Sequence, residues 1–453
     1  MKPTHAVILV FALAGCPPHP TNNGPDGGGG SDAPAACSAQ PGFETVEALG
    51  ASGAPGGYSD VSLELSQYDE PMLAYDGLSG GDNTGSQLYF TMWDRASCTW
   101  RAPVSIDTVG NVPTDNQAND GFPREVKLVQ DGVSQHLAIV YQKQRVEDDV
   151  IYQDVMLAQS SDLGTSWRTE VVAQPQSSDA SDNIDQPTVA FSANEMYVAY
   201  YQSYSPDPEQ RCSDTLCNVI HLRSRDGETG AFDDLVLPPA DGNVTDDDTV
   251  GPEISIGIDL QPSVVFAEVT SADPGPGVYI AYYYGGTTHV AFSTNGRLNV
   301  VTGLDIVVDG ETPYVAATAA RTLTDDSNDV FFAAGSAIAG TSWSTPAAMP
   351  PNGSNYQSAY VSIAQDDATH AISIASDFYG GSDGPAQCGG PNLSTSADSG
   401  AHWSTCGADP TGAFSFAGDF VTVKYARTGK RIAAYNYTTQ GTSLGDGLVV
   451  WRE

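Results

Sequence analysis

The stretch whose reading decides the fold is Ser160-Ser161-Asp162-Leu163-Gly164-Thr165-Ser166-Trp167, which returns as Ser396-Ala397-Asp398-Ser399-Gly400-Ala401-His402-Trp403. Both have the form S-x-D-x-G-x-x-W. These residue types describe a hairpin turn. An Asp carboxylate accepts backbone N–H groups of a turn, Gly takes a positive φ that other residues resist, and Trp folds back over apolar surface.

Weaker copies flank the two. Ser336 to Trp343 keeps everything except the Asp. Ser224-Arg225-Asp226-Gly227 runs on to Phe232, Asp94 to Trp100 lacks the Gly, and Ser293-Thr294-Asn295-Gly296 leads to Leu298. Their last residues fall at 100, 167, 232, 298, 343 and 403, so the intervals are 67, 65, 66, 45 and 60 residues. Such a period suits one four-stranded antiparallel blade per repeat, with one compact member. The segments between the turns also align: Ile184–Phe191 with Ile258–Phe266, and Met196–Tyr201 with Val278–Tyr283. Alternation such as Val61-x-Leu63-x-Leu65 marks a buried strand face. After the last turn, Phe420–Tyr425, Arg431–Tyr437 and Gly447–Trp451 supply three strands. Phe43–Glu47 resembles the segment after a turn and supplies the fourth. The expected fold is therefore an all-β, seven-bladed β-propeller closed by both termini, which removes the open edge. Six blades is the alternative, if the short repeat around 304–343 is not a full blade.

The S-x-D-x-G-x-x-W turns resemble the Asp-box of the sialidase-like propeller superfamily. In that family the boxes are structural and lie away from the ligand face, so Ser160, Asp162, Gly164, Trp167, Ser396, Asp398, Gly400 and Trp403 specify fold rather than activity. The resemblance implies, for a sialidase, three Arg gripping a carboxylate, a Tyr–Glu nucleophile pair and an Asp acid/base. Phe122-Pro123-Arg124 is the nearest counterpart of the family's first Arg motif, in altered order. Arg321 is a second candidate, and no third stands out.

The remaining chain sets compartment and charge. Residues 1–15 read as a lipoprotein signal peptide, with Lys2 followed by an apolar run too short to span a bilayer. Leu13-Ala14-Gly15-Cys16 resembles the bacterial lipobox, which makes Cys16 the expected lipid anchor. Pro17, not Asp, follows Cys16, which favours the outer membrane or cell surface over inner-membrane retention. Residues 16–36 form a Pro/Gly-rich tether that cannot build a core, and 37–453 form the propeller domain. With 18 basic against 56 acidic residues, the net charge is -38. That field disfavours nucleic acid. The partners expected are the membrane, through lipid, and a glycan or protein ligand of a monomeric propeller.

Six cysteines besides Cys16 suit an oxidising compartment. Fifteen pairings are open; proximity in the expected fold favours Cys212–Cys217, Cys388–Cys406 and Cys37–Cys98. The histidines lack metal-ligand spacing and no cofactor is implied. Ca2+ held by Asp241 and Asp246-Asp247-Asp248 is a rival reading. Entry residues of the innermost strands would meet a ligand in the channel, and Asp120, Arg124, Asp185, Gln186, Gln261, Glu311 and Tyr314 are those candidates. No catalytic set emerges. The expected function is a non-catalytic glycan- or protein-binding scaffold on a tether. A divergent sialidase-like glycoside hydrolase is the alternative, and Ca2+-dependent adhesion a further one.

Overall fold

The computed structural model describes residues 42–46, 58–78, 86–110, 126–175 (apart from 133, 148 and 149), 184–204 (apart from 194), 217–240, 243–244, 251–270, 277–293, 301–320, 328–349, 356–357, 360–376, 379–380, 392–404, 421–437 and 447–453. Its strands form seven blades of antiparallel sheet around one axis. The inner strands, in blade order, are Tyr58–Leu65, Lys127–Gln130, Ile184–Ser192, Glu253–Ile256, Val301–Asp309, Val361–Gln365 and Val421–Tyr425. The last blade takes Arg431–Tyr437 and Gly447–Arg452 from the C-terminus and Gly42–Val46 from the N-terminus. Gly42 lies opposite Arg452 and Val46 opposite Leu448, as expected of a ring closed by both ends. Blade 5 is complete, with Val301–Asp309, Thr312–Ala320, Asn328–Ala334 and the two-residue outer strand Ala347–Ala348. The six-blade alternative is thereby set aside.

Strands in the middle of a blade are covered on both faces by neighbouring blades, so they read as unbroken apolar runs. Leu137 to Tyr141 and Val264 to Phe266 are buried throughout. Seven apolar clusters result, each joining one pair of adjacent blades, blade 7 to blade 1 included. Inner strands differ. Val61 and Leu63 are buried, and so are the polar residues between and before them, Ser62 and Asp60. Alternation there separates an apolar face from a buried polar one, not from solvent.

The two S-x-D-x-G-x-x-W turns are nearly superimposable in their bonding. Ser160 Oγ donates to Asp162 Oδ1 at 2.8 Å and accepts Gly164 N at 2.9 Å; Ser396 does the same to Asp398 and from Gly400, both at 2.8 Å. Asp162 Oδ1 accepts Ser166 N, and Asp398 Oδ1 accepts His402 N, each at 2.8 Å. Each Trp Nε1 donates to the carbonyl of its Gly at 3.0 Å. Gly164 and Gly400 have φ of +79° and +90°. A Cβ there would lie 2.1 Å from Phe90 or Phe332 on the preceding blade. Trp167 and Trp403 pack on those same rings, at 5.1 Å between centroids. The Asp-less copy repeats the arrangement with Gly340 and Trp343 on Tyr282. The turn is thus a clasp from one blade onto an aromatic ring of the blade before it.

Two expectations need correction. In blade 4 the turn between third and fourth strands is Tyr284-Gly285-Gly286-Thr287, with φ of +58° and +89° at the glycines, and not the segment from Ser293 to Leu298. Ser293 ends the outer strand, and 294–298 lie outside the described residues. Two glycines at positive φ make the tightest hairpin, which needs no Asp or Trp and leaves no motif. Ile258–Phe266 also runs into a second strand, Pro262–Thr270, whereas Ile184–Phe191 lies in an inner one; Val278–Tyr283 is likewise a third strand and Met196–Tyr201 a second. The matched segments share burial on two faces, which is what makes their sequences alike. Cys98 is disulfide-bonded. Its expected partner Cys37 lies outside the described residues, as do Cys212, Cys388 and Cys406.

Gly400→Ala forces a side chain into the left-handed region and against Phe332, and should cost about 2 kcal/mol or more in urea unfolding. Trp403→Ala should cost about 2–3 kcal/mol. Hydrogen bonds from Ser166, through side chain and backbone, and from Ser160 hold Asp162 down at about 2. A depressed carboxylate stabilises above its unfolded-state pKa and stops doing so as pH falls through the folded one. The melting-temperature gap between wild type and Asp162→Asn should therefore be constant above about pH 4 and close towards pH 2.

Candidate functional site

Ligands reach a propeller's axis past the ends of its inner strands. At the start of the blade 3 inner strand, the pairing slips between Asp185 and Thr188. Gln186 occupies the slip with φ +56°, a conformation costly for a residue with a side chain. Asp185 accepts bonds from Gln142 Nε2 and from Gln186 N. Gln142 Nε2 also donates to Ile184 O at 3.2 Å. Gly251, at the entry of blade 4, lies against this bulge: a Cβ there would come within 2.2 Å of Gln186 Cβ. Bulges and strained residues of this kind gather at working sites.

Behind the bulge the inner strands carry a charged network. Lys127 of blade 2 reaches past blade 3 to Glu253 of blade 4, at 2.5 Å. Thr188 Oγ1 of blade 3 donates to the other oxygen of Glu253 at 3.0 Å. Lys424 of blade 7 pairs with Glu64 of blade 1 at 3.0 Å. Asp305 of blade 5 accepts Ile306 N and Ile363 N, both at 2.8 Å. It also acts on both lysines through space. About a third of the Lys127 side chain, 35%, remains open. Burial works against its charge, but Glu253, Asp305 and Asp60 together hold the ammonium proton more tightly than usual. Burial, and secondarily Asp305, pushes Glu253 above the ordinary carboxylate range, while Lys127 pulls it back.

Of the residues anticipated from sequence, Asp185 and Gln186 lie at an inner-strand entry as expected. Gln261, Glu311 and Tyr314 do not. Gln261 and Glu311 sit on the hairpins between first and second strands, at the opposite end of the blades. Tyr314 begins a second strand, where it is buried and stacked on Phe332. Inner and second strands were confused there because both are short, apolar and followed by a tight turn. Asp120 and Arg124 lie outside the described residues, as do Arg321, Asp241 and Asp246 to Asp248. None of the seven inner strands contains an Arg; their cations are Lys127 and Lys424. Among the described residues no group of three or more His, Cys, Asp or Glu could hold a metal ion. The network of Glu64, Lys127, Thr188, Glu253, Asp305 and Lys424 was not anticipated. Its sequence signal, a charged residue inside a short apolar strand, acquires meaning only when the strand is known to face the axis.

No family model and no curated protein matches the chain. Solved structures are similar at low identity. A sialidase variant from Streptococcus pneumoniae is 11% identical over 91% of this chain and 70% of that one, with a TM-score of 0.46. A Hadza microbial sialidase is 11% identical over 81% and 73%, with a TM-score of 0.45. An α-L-arabinanase from Penicillium chrysogenum, complexed with arabinobiose, is 12% identical over 87% and 93%, with a TM-score of 0.42.

Gly251→Ala should destabilise the protein by about 1–3 kcal/mol, because the added methyl group overpacks against Gln186. Gln186→Gly should remove the backbone strain and restore most of the loss when the two are combined. Urea titration of the two single variants and the double variant reads this coupling.

Proposed function

We propose that the chain is a lipid-tethered cell-surface propeller that binds a glycan or a protein at its channel mouth and does not cleave it. The observation that supports this reading is the self-pairing of the channel charges. Lys127 is matched to Glu253, Lys424 to Glu64, and Asp305 to two backbone N–H groups. Cations already neutralised are poorly placed to grip a carboxylate, and each carboxylate is held as part of the wall. The mouth next to them, with its fixed bulge at Asp185 and Gln186, offers shape and hydrogen-bonding groups of the kind recognition needs.

The anchor belongs to the same proposal and rests on Leu13-Ala14-Gly15-Cys16. Incorporation of an alkyne fatty acid in cells, abolished by Cys16→Ser, is the expected result.

On a glycan array, or in cross-linking at the cell surface, the protein should retain a ligand that Gln186→Gly weakens at least several-fold. Fluorogenic sialosides and neutral glycosides should release no sugar. Release that disappears on Arg124→Ala would replace the binding reading with hydrolysis. A requirement for Ca2+ in binding would instead point to the acidic segment at Asp246 to Asp248.

A further inference from the structure

The place where the first strand begins bears on which way the propeller faces. Gly42 lies opposite Arg452, and Arg452 opposite Ile432, just past the blade 7 hairpin of residues 426–430. The chain leading from Cys16 therefore joins the ring on the face of the hairpins and clasps. The mouth at Asp185 and Gln186 is at the other end of the blades. About 26 residues separate Cys16 from Gly42, and a Gly-rich chain of that length reaches about 25–30 Å.

Exposed cations collect at the same place. Arg427 and Lys430 are on the blade 7 hairpin, and Arg95 and Arg101 flank the clasp turn of blade 1. Among the described residues the one other exposed cation, Arg168, is at the blade 2 clasp, bonded to Glu170 and to the Glu228 carbonyl. Nearby carboxylates are bonded to groups other than the four side-chain charges. Asp69 Oδ1 accepts Arg427 N at 2.9 Å, and Asp94 accepts Ala96 N and Ser97 Oγ. Glu70 accepts Ser66 Oγ, Glu44 pairs with Arg452, and Glu453 grips Arg431 through both oxygens. Tyr68, 62% exposed, forms the tip of the blade 1 hairpin. Ser66 Oγ fixes that tip by accepting Tyr68 N at 3.1 Å and Glu70 N at 3.2 Å, and the Asp69–Arg427 bond holds it against the blade 7 hairpin. A bare Tyr ring among unpaired Arg and Lys has the composition of an interfacial contact, with the ring at head-group level and the cations on phosphates. The apolar tip across the ring, Ile258 and Leu260 of blade 4, sits beside Asp259 and carries none of these cations.

We propose that the hairpin edge of blades 7 and 1 rests on anionic phospholipid head groups, so that the tethered propeller turns its mouth away from the membrane. The inference rests on the lipid-tether reading and adds an orientation to it. The chain as a whole is acidic, with a net charge of -38. At physiological ionic strength, however, exposed charges more than about 8 Å away are largely screened, so the patch nearest the lipid decides the sign. Tethering makes the contact an intramolecular one, so a weak surface affinity is enough to set the orientation.

The full chain carrying Cys16→Ala tests the surface without the anchor. It should float with vesicles of phosphatidylethanolamine and phosphatidylglycerol, not with phosphatidylcholine alone, and added salt should release it. Arg427→Glu combined with Lys430→Glu should weaken flotation at least about tenfold, and Tyr68→Ser should weaken it further. The melting temperature should stay unchanged in each, because these side chains stand on exposed hairpin tips. No flotation on the anionic vesicles, or flotation indifferent to the substitutions, would overturn the inference. The orientation is read on the acylated protein in the same vesicles. A bimane on Thr428→Cys, at the blade 7 hairpin, should be quenched by brominated lipid. One on Pro239→Cys, beyond the outer strand of blade 3 at the mouth end, should not. Equal quenching at the two positions would equally overturn it. A fault in the anchor itself shows separately, as missing fatty-acid incorporation at Cys16, and leaves the unacylated arm able to decide.

Discussion

Seven inner strands turn one edge each towards the axis, and an edge strand carries N–H groups with no ladder partner. Leaving them bare in a narrow channel would cost about as much as losing a hydrogen bond for each group. The protein answers with side chains from the blade before. Asp60 and Ser62 cap Val126 N and Leu128 N, Ser255 caps Val308 N, Asp305 caps Ile363 N, and Ser362 caps Val423 N. The remaining junctions use Gln142 on Ile184 O, Thr188 on Glu253, and Asp69 on Arg427 N. A polar residue in an inner strand is therefore a joint between blades. At the closing junction the direction reverses for Asp69, while Lys424 of blade 7 reaches Glu64 of blade 1, so each blade is joined to the next around the ring.

Further from the axis the joint becomes apolar. Clasps at Trp167, Trp343 and Trp403 seat on Phe90, Tyr282 and Phe332 of the preceding blades. Where the chain ends, blade 7 has no third-to-fourth turn of its own. There Arg452 pairs with Glu44 and lies 4.5 Å over the Trp93 ring, next to Trp100. A cation stacked on indole and neutralised by the incoming N-terminal strand stitches first strand to last. The first and last described strands are thereby committed to one sheet.

The same joints limit what the channel can do. Polar groups of the inner strands cap edges and pair with one another, and Lys127 and Lys424 are held by Glu253 and Glu64. Among the described residues, the bulge at Gln186, in an unfavourable conformation beside Asp185 and Gly251, is the rim feature to which the proposed recognition is assigned. The paired lysines within the axis and the bulge at its rim are the two features on which the proposed capture of a ligand rests.

Much of this was legible without coordinates. A turn defined by Asp, Gly and Trp is a local object: its hydrogen bonds span five or six residues, so its chemistry is written in consecutive letters. Counting such turns yields the repeat, the blade number and a closing strand at Phe43–Glu47, which the structure places at Gly42–Val46. A hairpin made by two glycines leaves no such letters, and blade 4 was misread for that reason. Strand rank within a blade is equally hidden, because inner and second strands are both apolar and followed by a tight turn; Gln261 and Glu311 therefore fall on first-to-second hairpins and Tyr314 in a second strand, not at inner-strand entries. Sequence by itself determined the class of sheet, the turns and the meeting of the termini, since these follow from short-range geometry. Only the tertiary structure decided that Lys127, Glu253, Asp305 and Lys424 face one another, because the distance between two charges across a ring depends on which blade each belongs to and not on their separation along the chain.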